Sequence, residues 1–455
     1  MPKSFAGGVH PNDAKQATCS LAIQQVAVSP TLLVSMRQSM GAASRPKVVK
    51  GQKVAKGELI GEAAGFISAA VHAPTSGEVK SLTRITDAVT GTPVEAVEIV
   101  ADGQDAWHAS CNQQRDWRAL SADEIRQAVA AAGLVGLGGA TFPTQVKLMP
   151  PKGATVEVVI LNGAECEPYL TCDHRLMLAH PAEIVEGLEV FLKATGASRG
   201  IIALEDNKSD AVAALREAAR EVRGVEVVAL HVKYPQGAEK QLIKSLTGRE
   251  VPSGGLPADV GAVVQNVATA KAAFDALRWQ RPLIDRVLTI TGDGVEKPGN
   301  FQVRVGTSVA SLLTAAGLRD DVRKIIMGGP MMGLSLATVD TYTIKGLSGL
   351  LCLRSPATFR HLPCIRCGKC VDVCPSRILP STLSILGESY EDGNLDALDQ
   401  AMEAALMDCI ECGSCSYVCP AERRIVHYIR FLKGERRKKA AKQREKLSQE
   451  QAKVS

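Results

Sequence analysis

No run of apolar residues in this 455-residue chain is long enough to cross a bilayer, which excludes a membrane-spanning helix. The opening stretch MPKSFAGGVHPNDAKQ has no apolar core behind its early lysine and no small-residue cleavage site, so no secretory signal is expected and a cytoplasmic location is. Net positive charge is concentrated in one segment. Between Arg423 and Lys446 stand eleven Lys or Arg and two Glu, a local +9 against a total of +5, leaving the rest of the chain near −4. This tail has few aromatics to stack bases, and basic residues alone attract phosphate without sequence preference, so no nucleic-acid partner is expected. It reads as a solvated helix, a disordered end, or a segment touching anionic lipid or an acidic partner.

Cysteine is what the chain does have: thirteen residues, an odd number, eight of them in two short rows. A disulfide framework belongs to small secreted chains, so this distribution favours metal ligation in a reducing compartment. The rows are CIRCGKCVDVCP, from Cys364, and CIECGSCSYVCP, from Cys409. Both read C-x2-C-x2-C-x3-C-P, the bacterial iron–sulfur spacing, in which three thiolates hold one cubane and the fourth serves its neighbour. The expected ligand sets are Cys364, Cys367, Cys370 and Cys419 for one 4Fe-4S cluster, and Cys409, Cys412, Cys415 and Cys374 for the other. Zinc in paired knuckles is the competing reading, but four thiolates within eleven residues, twice, with Pro at the same place, are unusual for it. The 34 residues from Pro375 to Asp408 read as helical, with Leu395, Leu398, Met402, Ala405 and Cys409 on one face.

Upstream, three textures follow one another. Val48 to Leu82 alternates short β-prone runs with glycine turns, and its layout resembles a lipoyl/biotinyl-like barrel-sandwich in which KGELIGE and HAPTSGEV are equivalent hairpin halves. The tip between them lacks a lysine for a swinging arm, so the module serves docking or packing. From Leu120 to Asp275 helices alternate with strands: SADEIRQAVAAAG opens on an N-cap Ser121 with Glu124 three residues later, and VEVVILNGAE, RGIIALEDN and VEVVALHVKYP suit a buried parallel sheet. Arg286 to Gly317 reads as strand, turn, strand, helix, a compact β-grasp unit.

Two stretches of the α/β region carry candidate ligand groups. GLVGLGGATFPTQVKL, Gly133 to Leu148, is neither a P-loop nor a Rossmann loop, yet its glycines let backbone N–H groups approach a phosphate or a flat ring. LNGAECEPY, Leu161 to Tyr169, follows a strand and sets Asn162, Glu165 and Glu167 where α/β sheets bind ligands, although an acidic surface loop would look the same. Cys166 and Cys172 have no partners at ligand spacing and read as buried thiols.

These two stretches, with YPQGAEKQLIKSLTGREVPSGGLP and VVQNVATA, resemble the flavin- and NADH-binding subunit of respiratory complex I. With GGVHP, VHAPTSGEV, TITGDGVEKPGNF, GGPMMG and both cysteine rows in this order, the chain from Phe5 to Leu432 resembles the RnfC family, a component of Rnf/Rsx ion-translocating electron transport complexes. The resemblance implies a peripheral oxidoreductase subunit on the cytoplasmic face of the inner membrane. It would pass electrons between NAD(H), FMN and a ferredoxin-like iron–sulfur partner subunit. It implies a flavin site at Gly136, Gly138, Gly139, Lys147, Asn162, Glu165 and Asn266, with Phe142 beside the nicotinamide nucleotide. The chain departs from the complex I pattern at Leu137, where that pattern has Arg, at Ala164, where it is acidic, and at Ala238 and Glu239, where it has paired carboxylates. A soluble NADH-dependent coupling subunit of a reductase system is the alternative.

The expected architecture is multidomain α/β and α+β. An N-terminal region over 1–119 holds a barrel-sandwich-like β module at about 36–100, and a complex-I-flavoprotein-like α/β domain occupies 120–280. A β-grasp (SLBB-like) domain over 281–335, a helical dicluster ferredoxin domain over 336–432 and a basic tail over 433–455 complete it.

Overall fold

The computed structural model describes residues 4–151 and 153–454, the side chains of 444, 445 and 447–454 excepted. Two units emerge. One takes Asn12–Val232 and Leu256–Pro356; the other takes the N-terminal segment up to Pro11, Lys233–Gly255 and Ala357 onwards.

In the first unit a short strand β1 (Ile23–Gln25) precedes a β module of seven strands. These are β2 (Thr31–Ser35), β3 (Arg45–Pro46), β4 (Lys53–Val54), β5 (Leu59–Glu62), β6 (Val71–His72), β7 (Gly77–Thr86) and β8 (Pro93–Ala101). They form two antiparallel sheets, β2-β8-β7-β4 and β3-β5-β6. Alternation along the strands turns Val34, Val79, Val97 and Ile99 inwards against Met36, Ile60 and Val71. KGELIGE supplies β5, which pairs with β6, the strand just before and into HAPTSGEV.

Next come α1 (Ala122–Ala131), α2 (Thr144–Lys147), β9 (Val158–Gly163), α3 (Cys172–Ala179), α4 (Pro181–Thr195), β10 (Arg199–Glu205), α5 (Ser209–Ala219) and β11 (Val225–Leu230). The helix α6 (Glu239–Thr247) belongs to the second unit, after which β12 (Ala262–Asn266) and α7 (Val267–Arg278) return to the first. A capping box starts α1: Ser121 Oγ accepts from the Glu124 N–H while the Glu124 carboxylate accepts from the Ser121 N–H. The four strands are all parallel, in the order β11-β10-β9-β12. The chain winds from β9 through β10 to β11 and then crosses to the other side as β12, so the order reverses between β9 and β12. Val159, Leu161, Ile202, Leu204 and Val263 bury one face of this sheet beneath α4 and α7. Those helices meet at Gly187, where a Cβ would stand 2.0 Å from the Ala270 carbonyl oxygen.

The first unit ends with β13 (Asp285–Thr291), β14 (Gly299–Arg304), α8 (Val309–Ala315), β15 (Lys324–Met327), β16 (Leu334–Ser335) and β17 (Gly349–Leu353). Strand, turn, strand and helix follow one another from β13 to α8 as the pattern reads. The sheet, β1-β14-β13-β17-β15-β16, also takes in two strands from outside the 281–335 segment: β1 pairs parallel with β14, and β17 parallel with β13. Such pairings between distant segments leave no local trace in sequence.

The second unit carries α9 (Lys369–Asp372), α10 (Pro380–Glu391), α11 (Ala397–Glu403), α12 (Ser414–Tyr417) and α13 (Ile425–Val454) around a core that includes Leu383, Leu398, Leu406, Ile425 and Ile429. The continuous helical face expected from Leu395 to Cys409 is broken. α11 stops at Glu403, Ala405 sits at φ +60°, a 3-10 turn spans Leu406–Asp408, and Leu395 is exposed. A left-handed residue cannot continue a right-handed helix, so the chain turns there and Leu406 enters the core instead. The basic tail continues α13 as helix to Val454.

Substitution of Gly187 by Ala drives a methyl group into the α7 backbone and is expected to cost about 2 kcal/mol of stability, measurable as a lowered denaturation midpoint of the full chain.

Candidate functional site

Where the parallel sheet reverses, Asn162 at the end of β9 lies in register with Asn266 at the end of β12. The end of β12 meets the glycine loop. A Cβ on Gly138 would contact the Asn266 side chain at 3.7 Å, whereas one on Gly139, at φ +103°, would meet nothing within 4 Å. Gly138, Gly139 and Ala140 are exposed. Among the described residues their N–H groups donate to nothing in the chain, which leaves donors and open space for a phosphate or the edge of a flat ring. The residues present therefore fit a flavin nucleotide.

The loop itself is held firmly. Leu137, buried in the core, donates its N–H to Thr269 Oγ1 at 2.9 Å, and its carbonyl accepts from the buried Arg286 guanidinium at 2.7 Å. The position that is Arg in the complex I pattern thus points an apolar side chain into the interior. Gly136 N–H donates to the Phe142 carbonyl, which keeps Phe142 at the loop's closing end. Lys147 Nζ reaches the Val264 carbonyl at 3.1 Å, tying α2 to β12.

Asn266 is occupied at both ends: Oδ1 caps α7 at the Ala268 N–H and Nδ2 donates to Asp173 Oδ2 at 2.7 Å. Asn162 Oδ1 accepts from the Ala164 N–H. Glu165, with φ +46°, turns its carboxylate onto the first N–H groups of α3, Asp173 and His174, at 2.7 and 3.1 Å. Glu167 accepts instead from the N–H groups of Met331 and Met332, in the GGPMMG stretch. A Cβ on Gly329 would stand 2.2 Å from that carboxylate, which explains the glycine.

Several groups here gave no local signal in the sequence. Lys15, from the N-terminal segment, is buried and donates to the carbonyls of Glu165, Glu167 and Leu170; burial pulls its pKa down, opposed by the Glu165 charge. Lys208 is likewise buried and bonds the Ala164 carbonyl at 2.7 Å and Glu205 at 3.3 Å. Ala164 has no exposed surface, so an acidic residue there would place another carboxylate inside this cluster. Cys172 does have neighbours: its thiol and the carboxylates of Glu165 and Asp173 lie within 4.8 Å of one another. Burial, followed by the Glu165 charge, pushes Asp173 up to about 6, against the pull of Arg286 and Asn266.

In the second unit the two cysteine rows trace the same path. Gly368 and Gly413 both adopt left-handed φ, +79° and +83°, as the residue before α9 and α12. Arg366 and Glu411, at equivalent positions, are left-handed too. Cys374 of the first row lines one cavity with Cys409, Cys412 and Cys415. Burial raises Cys412, with the Cys374 thiol adding to the shift, and Cys415 is raised by burial and then by Cys412, Cys409 and Cys374. Cys370 is raised by burial, with Cys419 and Cys364 adding. Burial pushes Cys409 up to about 11. Among the described residues no disulfide is formed.

A parallel α/β sheet with a glycine loop at its reversal, in a chain that also carries two four-cysteine rows, defines a flavin- and iron–sulfur-type electron-transfer protein. Residues 129–275 match the Nuo51 FMN-binding domain, 3–104 the RnfC barrel sandwich hybrid domain, 287–335 the SLBB domain and 359–444 the 4Fe-4S dicluster domain. Over 450 residues the chain is 46% identical to the C component of the proton-translocating ferredoxin:NAD(+) oxidoreductase complex of Clostridium ljungdahlii, covering 98% of this chain and 96% of that one. It is 43% identical over 435 residues to the Na(+)-translocating counterpart of Acetobacterium woodii, covering 95% and 97%. The chain belongs to the RnfC family of ion-translocating ferredoxin:NAD(+) oxidoreductase complexes. A crystal structure of an air-oxidized NAD+-reducing [NiFe]-hydrogenase shares the fold over 70% of this chain and 64% of that one, with TM-score 0.51 and 21% identity.

Because Asp173 is raised from 3.8 to about 6, its protonated form favours the folded state, a contribution present below about pH 4 and lost as pH rises through about 6. Denaturation of the native chain and of Asp173→Asn across this window should show the native chain losing stability relative to the variant as pH rises.

Proposed function

We propose that this chain passes electrons between NAD(H) and a ferredoxin-type partner through FMN and two 4Fe-4S clusters, as a peripheral subunit on the cytoplasmic face of a membrane-bound ion-translocating complex. The observation that carries the reading is the cavity that Cys374 lines together with Cys409, Cys412 and Cys415, which supports ligation shared between the rows. Crossed ligation keeps two clusters adjacent and suits a conduit. Among the described residues no helix is long and apolar enough to cross a membrane, in keeping with a peripheral place.

The assigned ligands are Cys364, Cys367, Cys370 and Cys419 for one cluster, and Cys409, Cys412, Cys415 and Cys374 for the other. The flavin site is assigned to Gly136, Gly138, Gly139, Lys147, Asn162, Glu165 and Asn266, with Phe142 on the nicotinamide side. A flavin converts a two-electron hydride into two single electrons, and iron–sulfur clusters carry them singly. The chain's own residues prepare that chemistry. The N–H groups of Gly138, Gly139 and Ala140 offer donors without side chains in the way. Thr269 and Arg286 fix the loop from below, so nothing need reorganise when a nucleotide arrives. Asn266 stays oriented because the α7 N-terminus and Asp173 hold its two ends. Lys147 serves as a positioning residue, since its ammonium is spent on the Val264 carbonyl.

Anaerobic purification with iron, sulfide and acid-released flavin measured on one sample should give about eight iron and eight sulfide per chain, with flavin. A colourless sample holding zinc would overturn the cluster assignment. Cys374→Ser should weaken the EPR signal of the second-row cluster in the reduced protein while leaving the first-row signal in place.

A further inference from the structure

The two cysteine rows share one backbone but not one environment. Around the second row the unit closes over its own metal site. Cys412 and Ser414 are buried, and Tyr234 Oη donates to the Cys412 carbonyl at 2.6 Å. Glu411 accepts from Arg430 and Lys433 of α13 at 3.2 and 3.0 Å. The first row is tied down only at its approach, where Arg360 pairs with Glu422 and His361 with Glu388; among the described residues no ion pair reaches Ile365 to Lys369. Cys367, the counterpart of Cys412, is exposed. Ile365 keeps 66% of its surface accessible. Arg366 and Lys369, the counterparts of Glu411 and Ser414, are exposed and make no ion pair among the described residues. Phe359 and Leu362 are exposed on the same loop.

An exposed thiol on a predicted cluster, apolar side chains at its centre and cations beside them form the composition of a protein-docking face, apolar in the middle and charged at the rim. The cations also choose the partner. Within the row, exposed Arg366 and Lys369 stand against the exposed carboxylate of Asp372, while Arg377, beyond it, shares a pocket with Glu250. Such a face attracts an acidic surface and repels a basic one. We propose that the first-row loop, residues 359–369, is where an acidic one-electron carrier protein docks. The inference rests on the cluster assignment above and adds which of the two rows meets the partner. One electron passes between the first-row cluster and the carrier, one side oxidised by one and the other reduced by one, with no bond or proton changed.

The second row supplies substitutions that this backbone already accepts: Glu at the left-handed position of Arg366, and Ser at the helix start held by Lys369. The double variant R366E/K369S should therefore fold and load its clusters. Its test is affinity for an acidic 4Fe-4S ferredoxin, measured in the full, cluster-loaded chain at low and at high ionic strength. Binding is expected to weaken at least about tenfold at low salt and to lose most of its salt dependence, and Ile365→Ala should weaken it at both salts. Iron content and NADH-driven ferricyanide reduction should match the native chain, as should binding by a control reversal of exposed Arg223. Native-like affinity in R366E/K369S, or an equal loss in R223E, overturns the docking face. Loss of iron from the double variant overturns it too, because the cations would then serve the cluster. Absence of NADH-driven reduction in the native chain would instead remove the functional reading while leaving the binding result to stand.

Discussion

Everything at the candidate flavin site depends on the reversal of strand order between β9 and β12. Parallel strands end on the same side of their sheet, and where neighbours lead their loops apart, a crevice opens between them. Here that geometry sets Asn162 opposite Asn266 and leaves the space into which the glycine loop extends. The rest of the first unit supports this arrangement. α4 and α7 cover one face of the sheet, approaching closely through Gly187, and Arg286, the second residue of β13, reaches the loop's Leu137 carbonyl.

The irregular backbone around the crevice cannot satisfy itself by helix or ladder bonds, so side chains do it. Lys15 gathers three carbonyls, Lys208 takes a fourth with Glu205, and Glu165 and Glu167 each collect a pair of N–H groups. Unpaired, each such buried polar group would cost about 1–3 kcal/mol. The loop after β9 is thereby held by segments from the N-terminus, α3, the 3-10 turn before α5 and the GGPMMG stretch at once.

In the second unit the same cysteine motif is used twice, and the difference between the copies lies in their coverings. Glu411 is paired with Arg430 and Lys433 of α13 and Tyr234 bonds the Cys412 carbonyl, whereas Arg366 and Lys369 at the corresponding positions are exposed.

Much of this was legible along the chain. The cysteine spacing, the Ser121 capping box, the three apolar strands and the glycine loop are local patterns, and local patterns carry local structure. The role of Glu165 was not readable, although it stands inside a quoted motif, because a carboxylate in a loop looks the same whether it caps a helix or faces solvent. The helix expected through Cys409 failed for a similar reason: Ala405 favours helix by itself, and only the need to turn Leu406 into the core sets it left-handed.

By itself, then, the amino-acid order determined element types, the two metal rows and the class of chemistry, since each rests on spacing within a dozen residues. Tertiary structure decided what distant segments do to one another. It placed Lys15 under a loop 150 residues away and brought β1 and β17 into a sheet with β13 and β14. It also covered one cysteine row while leaving the other bare. The physical reason is that burial, and the polar satisfaction burial demands, are properties of the folded neighbourhood, which no short stretch of chain contains.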